Sequence, residues 1–140
     1  MLPTRKRCDG VMGDFVKYYD GAFCEAGNLG KETPIALAGW HPRVVRLEKY
    51  GKYLMSSSLA RLKPNGGMVN PIMEIRESED LIHWSDPVQL TRNGELFGGH
   101  YCGLYAADNT RHNNVISADT LMVLTNGNGT DVTRYEAKIQ

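Results

Sequence analysis

The 140-residue chain lacks most of the features that assign a function at once. Its three cysteines, Cys8, Cys24 and Cys102, are odd in number and show no CxxC spacing, which argues against a disulfide framework and a thiolate zinc site. They are expected as free, buried thiols. No apolar run approaches the roughly 20 residues of a membrane-spanning helix. Residues 1–10 carry a basic Arg5-Lys6-Arg7 cluster but no apolar stretch of a signal peptide. A cytoplasmic location and no membrane partner are expected. An excess of one charge is missing too: sixteen Lys and Arg face sixteen Asp and Glu, which gives no electrostatic reason to bind nucleic acid. There is no phosphate-cradling loop and no GxSxG nucleophile elbow. The cysteines have no histidine at a catalytic spacing, and His112 stands in a polar stretch with too few partners for a metal. Neither metal nor cofactor is expected.

What is present points to β structure. A hydrophobic share of 41% with 23% charged residues is that of an ordinary globular domain. The length suits a single domain with a real core, and fifteen glycines with six prolines imply frequent turns. No window sustains helical periodicity. Short β-branched and aromatic runs predict strands over 43–47, 52–59, the second half of 68–76 (beyond Pro71), 87–90, 120–125 and 131–139. The Gly-rich stretch 98–105 is expected as an inner strand, and 15–19 as a strand before a long irregular stretch, 24–39. Turns are expected at 48–51, where Gly51 is available for a positive φ, at 63–67, and at 126–129, whose Asn-Gly pairs mark a hairpin. Residues 108–114 form a polar loop. A weak repeat relates 52–59 and 73–76 to 120–125 and 134–138 at an offset of roughly 60 residues, the mark of two similar antiparallel units.

The most specific pattern is Ser-x-Asp-Leu-x-x-Trp-Ser-x-Pro, carried by Ser78, Asp80, Leu81, Trp84, Ser85 and Pro87. Ser78 suits an N-cap, Asp80 a pin for the turn, Leu81 a plug and Trp84 a large apolar cover, with His83 capping the same turn. The pattern resembles the blade element of the five-bladed β-propeller glycosidases, glycoside hydrolase families 43 and 32. Pro42-Arg-Val-Val-Arg-Leu followed by Tyr-Gly-Lys-Tyr-Leu-Met-Ser-Ser is similar to an inner strand and its neighbour in those families, and residues 121–135 resemble a closing strand pair. The likeness spans Trp40 to Ile139, about two-thirds of the chain.

The resemblance implies an all-β fold of propeller-like blades, about two to three antiparallel four-stranded units. It would comprise one domain with an irregular part over 1–40, a blade over 41–95 and a closing blade over 96–140. A five-bladed ring needs more chain than this, and open blades leave unpaired edges, so completion by self-association as a homodimer or higher oligomer is expected. Glycoside hydrolysis uses two carboxylates. The family's base is an aspartate just before the first inner-strand proline, where this chain has His41. Inner-strand ends converge on a propeller axis, so the resemblance places Trp40, His41, Arg43, His100, Tyr101 and Tyr105 in a saccharide-binding pocket. Asp14, Glu25 and Asp108 are the candidate catalytic carboxylates reaching it from loops, while Glu74 and Glu77 belong to a solvated face. Two functions stay open: a glycosidase-like protein that binds or hydrolyses carbohydrate, and a non-catalytic oligomeric assembly protein on a propeller-derived scaffold.

Overall fold

The computed structural model describes residues 16–27, 29–36, 39–59, 63–67, 72–107, 114–126 and 131–139. These residues are all-β, with no helix among them. The chain divides into two compact units, Met1–Leu37 and Ala38–Gln140.

In the first unit, β1 (Val16–Tyr19) and β2 (Ala22–Ala26) form an antiparallel hairpin. Its two-residue turn is Asp20-Gly21, with φ of 47° and 87°. Positive φ at both positions gives the turn whose twist matches that of the flanking strands. The Thr33 amide donates to Tyr18 O (2.9 Å) and its hydroxyl accepts the Asp20 amide (3.0 Å), so the following segment lies along β1. Cys24, expected in irregular chain, is in β2 and exposed, because the strand started by the Asp-Gly turn continues through it.

The second unit holds a meander of β3 (Trp40–Leu47), β4 (Lys52–Leu59), β5 (Ile72–Ser78) and β6 (Val88–Gln89), all pairs antiparallel. These four consecutive strands span residues 40–89. A small hairpin follows, β7 (Thr91–Arg92) and β8 (Glu95–Leu96), closed by Asn93-Gly94 with φ of 53° and 82°. The second sheet has three strands rather than four, β9 (Cys102–Ala106), β11 (Thr120–Thr125) and β12 (Thr133–Lys138), in the order β12-β11-β9. The remaining strand, β10 (Val115–Ile116), pairs parallel with β3 instead. The Arg46 amide donates to Asn114 O (2.8 Å) and the Glu48 amide to Ile116 O (3.0 Å), which fixes β10 on the meander edge. Gly51 closes the β3–β4 turn at φ 63°, as expected.

One core joins the two sheets. The inward residues Val45 and Leu47 of β3 and Met73 of β5 pack with Leu104 of β9, Ile116 of β10, and Leu121 and Val123 of β11. Met73 and Leu104 are fully buried. Burial alternates along β11, the period-two signature of a strand with one face in the core.

The Ser78–Pro87 segment is a self-capped turn. Ser78 Oγ accepts the amides of Leu81 (2.9 Å) and Asp80 (3.2 Å). The Asp80 carboxylate accepts the amides of Ile82 (2.9 Å) and His83 (2.8 Å) and contacts the His83 ring Nδ1 at 2.7 Å. Trp84 Nε1 donates to Leu81 O (3.1 Å), and Ser85 ties the segment to Glu77 through its amide (2.9 Å) and its hydroxyl (3.0 Å). Leu81 is half-buried at φ 70°, so it is the corner of the turn rather than a plug. The hydrogen bonds from His83, backbone then ring, and from the Ile82 amide hold the Asp80 carboxyl far below the usual carboxylate range. Because the folded value lies below the unfolded one, this stabilisation is complete above about pH 4 and fades as pH falls through the folded value. Asp80→Ala is therefore expected to lower the melting temperature by several degrees at pH 7, with the gap to wild type narrowing below about pH 4. Thermal melts across that range check it, and equal melting at pH 7 contradicts it.

Candidate functional site

The site starts at a defect in β3. Trp40 pairs with Ser58 and Arg43 with Ser56, so three steps on β3 face two on β4. The extra residue is a β-bulge, a device that re-aims side chains. Within it His41 has φ 52°, in the left-handed region and directly before Pro42. Proline favours an extended predecessor, so this backbone is strained and held by its surroundings. Three residues apart, Trp40 and Arg43 both occupy positions opposite inward residues of β4.

The facing wall is the segment entering β9. It has few ladder bonds and is held by buried side chains instead. Ser58 Oγ, fully buried, lies 2.9 Å from both Gly99 O and His100 O. Thr125 Oγ1 donates to Gly98 O (3.0 Å), and Asn126 accepts the Tyr101 amide (2.7 Å) while its own amide donates to Tyr101 O (3.1 Å). Ser58 Oγ also contacts Cys102 Sγ at 3.1 Å; burial pushes that thiol up, so it stays protonated. These contacts fix where His100 and Tyr101 stand.

Four rings meet there. His41 lies 4.5 Å from the Tyr101 ring and 5.1 Å from His100, which in turn is 4.6 Å from Tyr101 and 5.6 Å, edge-on, from Trp40. Trp40 is 45% and Tyr101 56% exposed, so large aromatic faces meet solvent. Farther along β9, Arg43 Nε donates to Leu104 O (2.9 Å) and the guanidinium carbon sits 3.7 Å over the Tyr105 ring. Gly103 separates the two tyrosines. A Cβ there would come within 3.0 Å of Arg43 Cδ and 3.1 Å of Tyr105 Cε2, so glycine clears the lane that Arg43 uses.

All six residues expected to bind ligand thus fall in one continuous strip. Of the three expected catalytic carboxylates, only Glu25 is among the described residues. Asp14 and Asp108 lie outside the described residues. Glu25 sits on β2 of the first unit, where it accepts the Lys31 amide at 3.2 Å. Ser58, Gly103 and Asn126 were not expected at the site; only the Gly-rich stretch over 98–103 hinted at close backbone approach.

Two other polar groupings are structural. A hollow of about 390 Å³ beside the Ser78 turn is lined by Lys52, Glu77, Asp80, His83 and neighbours, most already engaged with each other. Lys49 and Tyr50 bind Asp119 at 2.7–2.8 Å, tying the β3–β4 turn to the chain before β11. Among the described residues no group of three His, Cys, Asp or Glu is placed to hold a metal, and no helix is long and apolar enough to cross a membrane. No protein-family model, curated protein or solved structure matches the chain.

Proposed function

We propose that this chain is a glycosidase-like β protein that binds carbohydrate through the strip running from Trp40 and Tyr101 to Arg43 and Tyr105. The observation that carries the proposal is the pair of exposed aromatic faces, Trp40 and Tyr101, packed around His41 on the strained bulge and His100 on the facing segment. Sugar rings present apolar C–H faces that aromatic rings cover well, and their hydroxyl edges need a few fixed polar partners. His41, His100 and Arg43 supply such partners. None of the six side chains is a carboxylate, whereas hydrolysis uses two, so binding rather than cleavage is the favoured activity. A glycan array followed by calorimetry on the best ligands tests the proposal. Binding is expected to one glycan class, and silence across the array overturns it.

A second role, self-association, rests on a separate feature, the open edge of β12. In the Ala38–Gln140 unit the meander edges β6 and β10 are two residues long, and β9 carries Arg43 along its side. β12 is six residues long and pairs only with β11 among the described residues. The bond from the Ile139 amide to Asp119 O (2.9 Å) sets the phase: the backbone groups of Arg134, Glu136 and Lys138 face outward. Antiparallel pairing with a second copy about Tyr135 puts Arg134 opposite the other copy's Glu136, a favourable cross-strand charge pair. A dimer is expected at micromolar concentration by sedimentation. Glu136→Pro, which removes an outward N–H and leaves the β11 ladder intact, is expected to give a monomer. A wild-type monomer contradicts the pairing.

A further inference from the structure

We infer that the ligand of this strip is an acidic saccharide whose carboxylate is taken by Arg43; this rests on the saccharide proposal above and names its class. Arg43 is half-buried, so its guanidinium has given up part of its hydration. The protein returns only one neutral carbonyl, Leu104 O at 2.9 Å, and one ring face, Tyr105 at 3.7 Å. No ion pair forms with Arg43 among the described residues. Glu136, on the same face of this sheet, stands two strands away across Met122.

A charge removed from water is ordinarily matched by an opposite one. Among the described residues, the terminal Nη1 and Nη2 donors have no hydrogen-bond partner and no buried side-chain nitrogen or oxygen is orphaned, so these donors reach solvent. Held by the Nε bond and the ring stack, the fork is preorganised for bidentate recognition of a planar oxyanion, the geometry at which arginine excels. Gly103 leaves room for this pose, because a Cβ there would come within 3.0 Å of Arg43 Cδ and press that side chain aside. The oxyanion is placed beside the aromatic faces by β9 and the segment entering it: Tyr105 is on β9 and Tyr101 directly precedes the strand, four residues away and so up to roughly 13 Å at about 3.3 Å per residue. A ligand bearing both a stackable ring and a carboxylate spans that strip, whereas free phosphate engages only one end.

Calorimetry on the full chain compares a uronic-acid oligosaccharide, its neutral methyl ester and inorganic phosphate. The acid is expected to bind about tenfold more tightly than the ester, with the advantage shrinking as salt is raised. Arg43→Met, which keeps the apolar stem, is expected to erase that preference, so that acid and ester bind the variant equally. Equal binding of acid and ester by the wild type overturns the inference and leaves the saccharide proposal standing. Binding of neither sugar overturns both. Phosphate binding without uronate binding overturns the placement of the anion on a sugar. The wild-type acid-to-ester comparison holds even where the variant fails to fold.

Discussion

Replacing both Trp40 and Tyr101 with alanine is expected to weaken saccharide binding by up to about a hundredfold while leaving the melting temperature nearly unchanged. Each aromatic contact is worth roughly 0.5–1.5 kcal/mol beyond the area it buries, so the pair supplies on the order of 1–3 kcal/mol, about five- to 150-fold in affinity. Stability is spared because both rings are about half exposed and their removal opens no core cavity. Single substitutions are expected to give intermediate losses, and Tyr101→Phe to retain most of the binding, since the ring face remains. Calorimetry with the best array ligand reads the effect. A double variant that binds like wild type removes the strip from consideration as the binding surface.

Leu104→Ala is expected to produce the largest loss of stability, about 2–5 kcal/mol, read as a fall of roughly 10 °C in melting temperature. Leu104 is fully buried and packs between the meander residues Val45 and Met73 and the β11 residues Leu121 and Val123. Truncation leaves a cavity at the joint between the sheets, where neither can collapse without breaking its ladder. Its carbonyl also anchors Arg43, so a loosened β9 is expected to weaken acid-sugar binding as well. Met73→Leu, a volume-conserving change in the same core, is expected to cost less than about 1.5 kcal/mol. Chemical denaturation measures both. A loss below about 1 kcal/mol for Leu104→Ala contradicts a core shared between the sheets.

Much of this fold is legible in the residues because its longer strands have one buried face. Leu121, Val123 and Thr125 alternate in burial as their pattern predicts, and Gly51 and the Ser78–Asp80 turn behave as their chemistry requires. Of the two-residue strands only β6 lies in a predicted run, 87–90; β7, β8 and β10 were not legible, since two residues carry no period, and the parallel pairing of β10 depends on backbone bonds to the meander. Asp20-Gly21 and Asn93-Gly94 held a readable hairpin signal in their dipeptides. At the site, the residue types were visible as aromatics and imidazoles at inner-strand ends. Their convergence was not, because it depends on the positive φ of His41, which a following proline argues against. It depends also on Ser58, one of three consecutive serines on β4, whose hydroxyl alone reaches the β9 entry segment.

Saccharide binding at the Trp40–Tyr101 face is tested most directly by the indole N–H resonances of the chain's two tryptophans, Trp40 and Trp84. Trp84 donates its indole proton within the Ser78 turn and serves as the internal control. Titration with an acidic oligosaccharide is expected to shift the Trp40 resonance in a saturable manner and leave that of Trp84 in place. A glycan that binds while moving only Trp84, or neither indole, contradicts binding at this face.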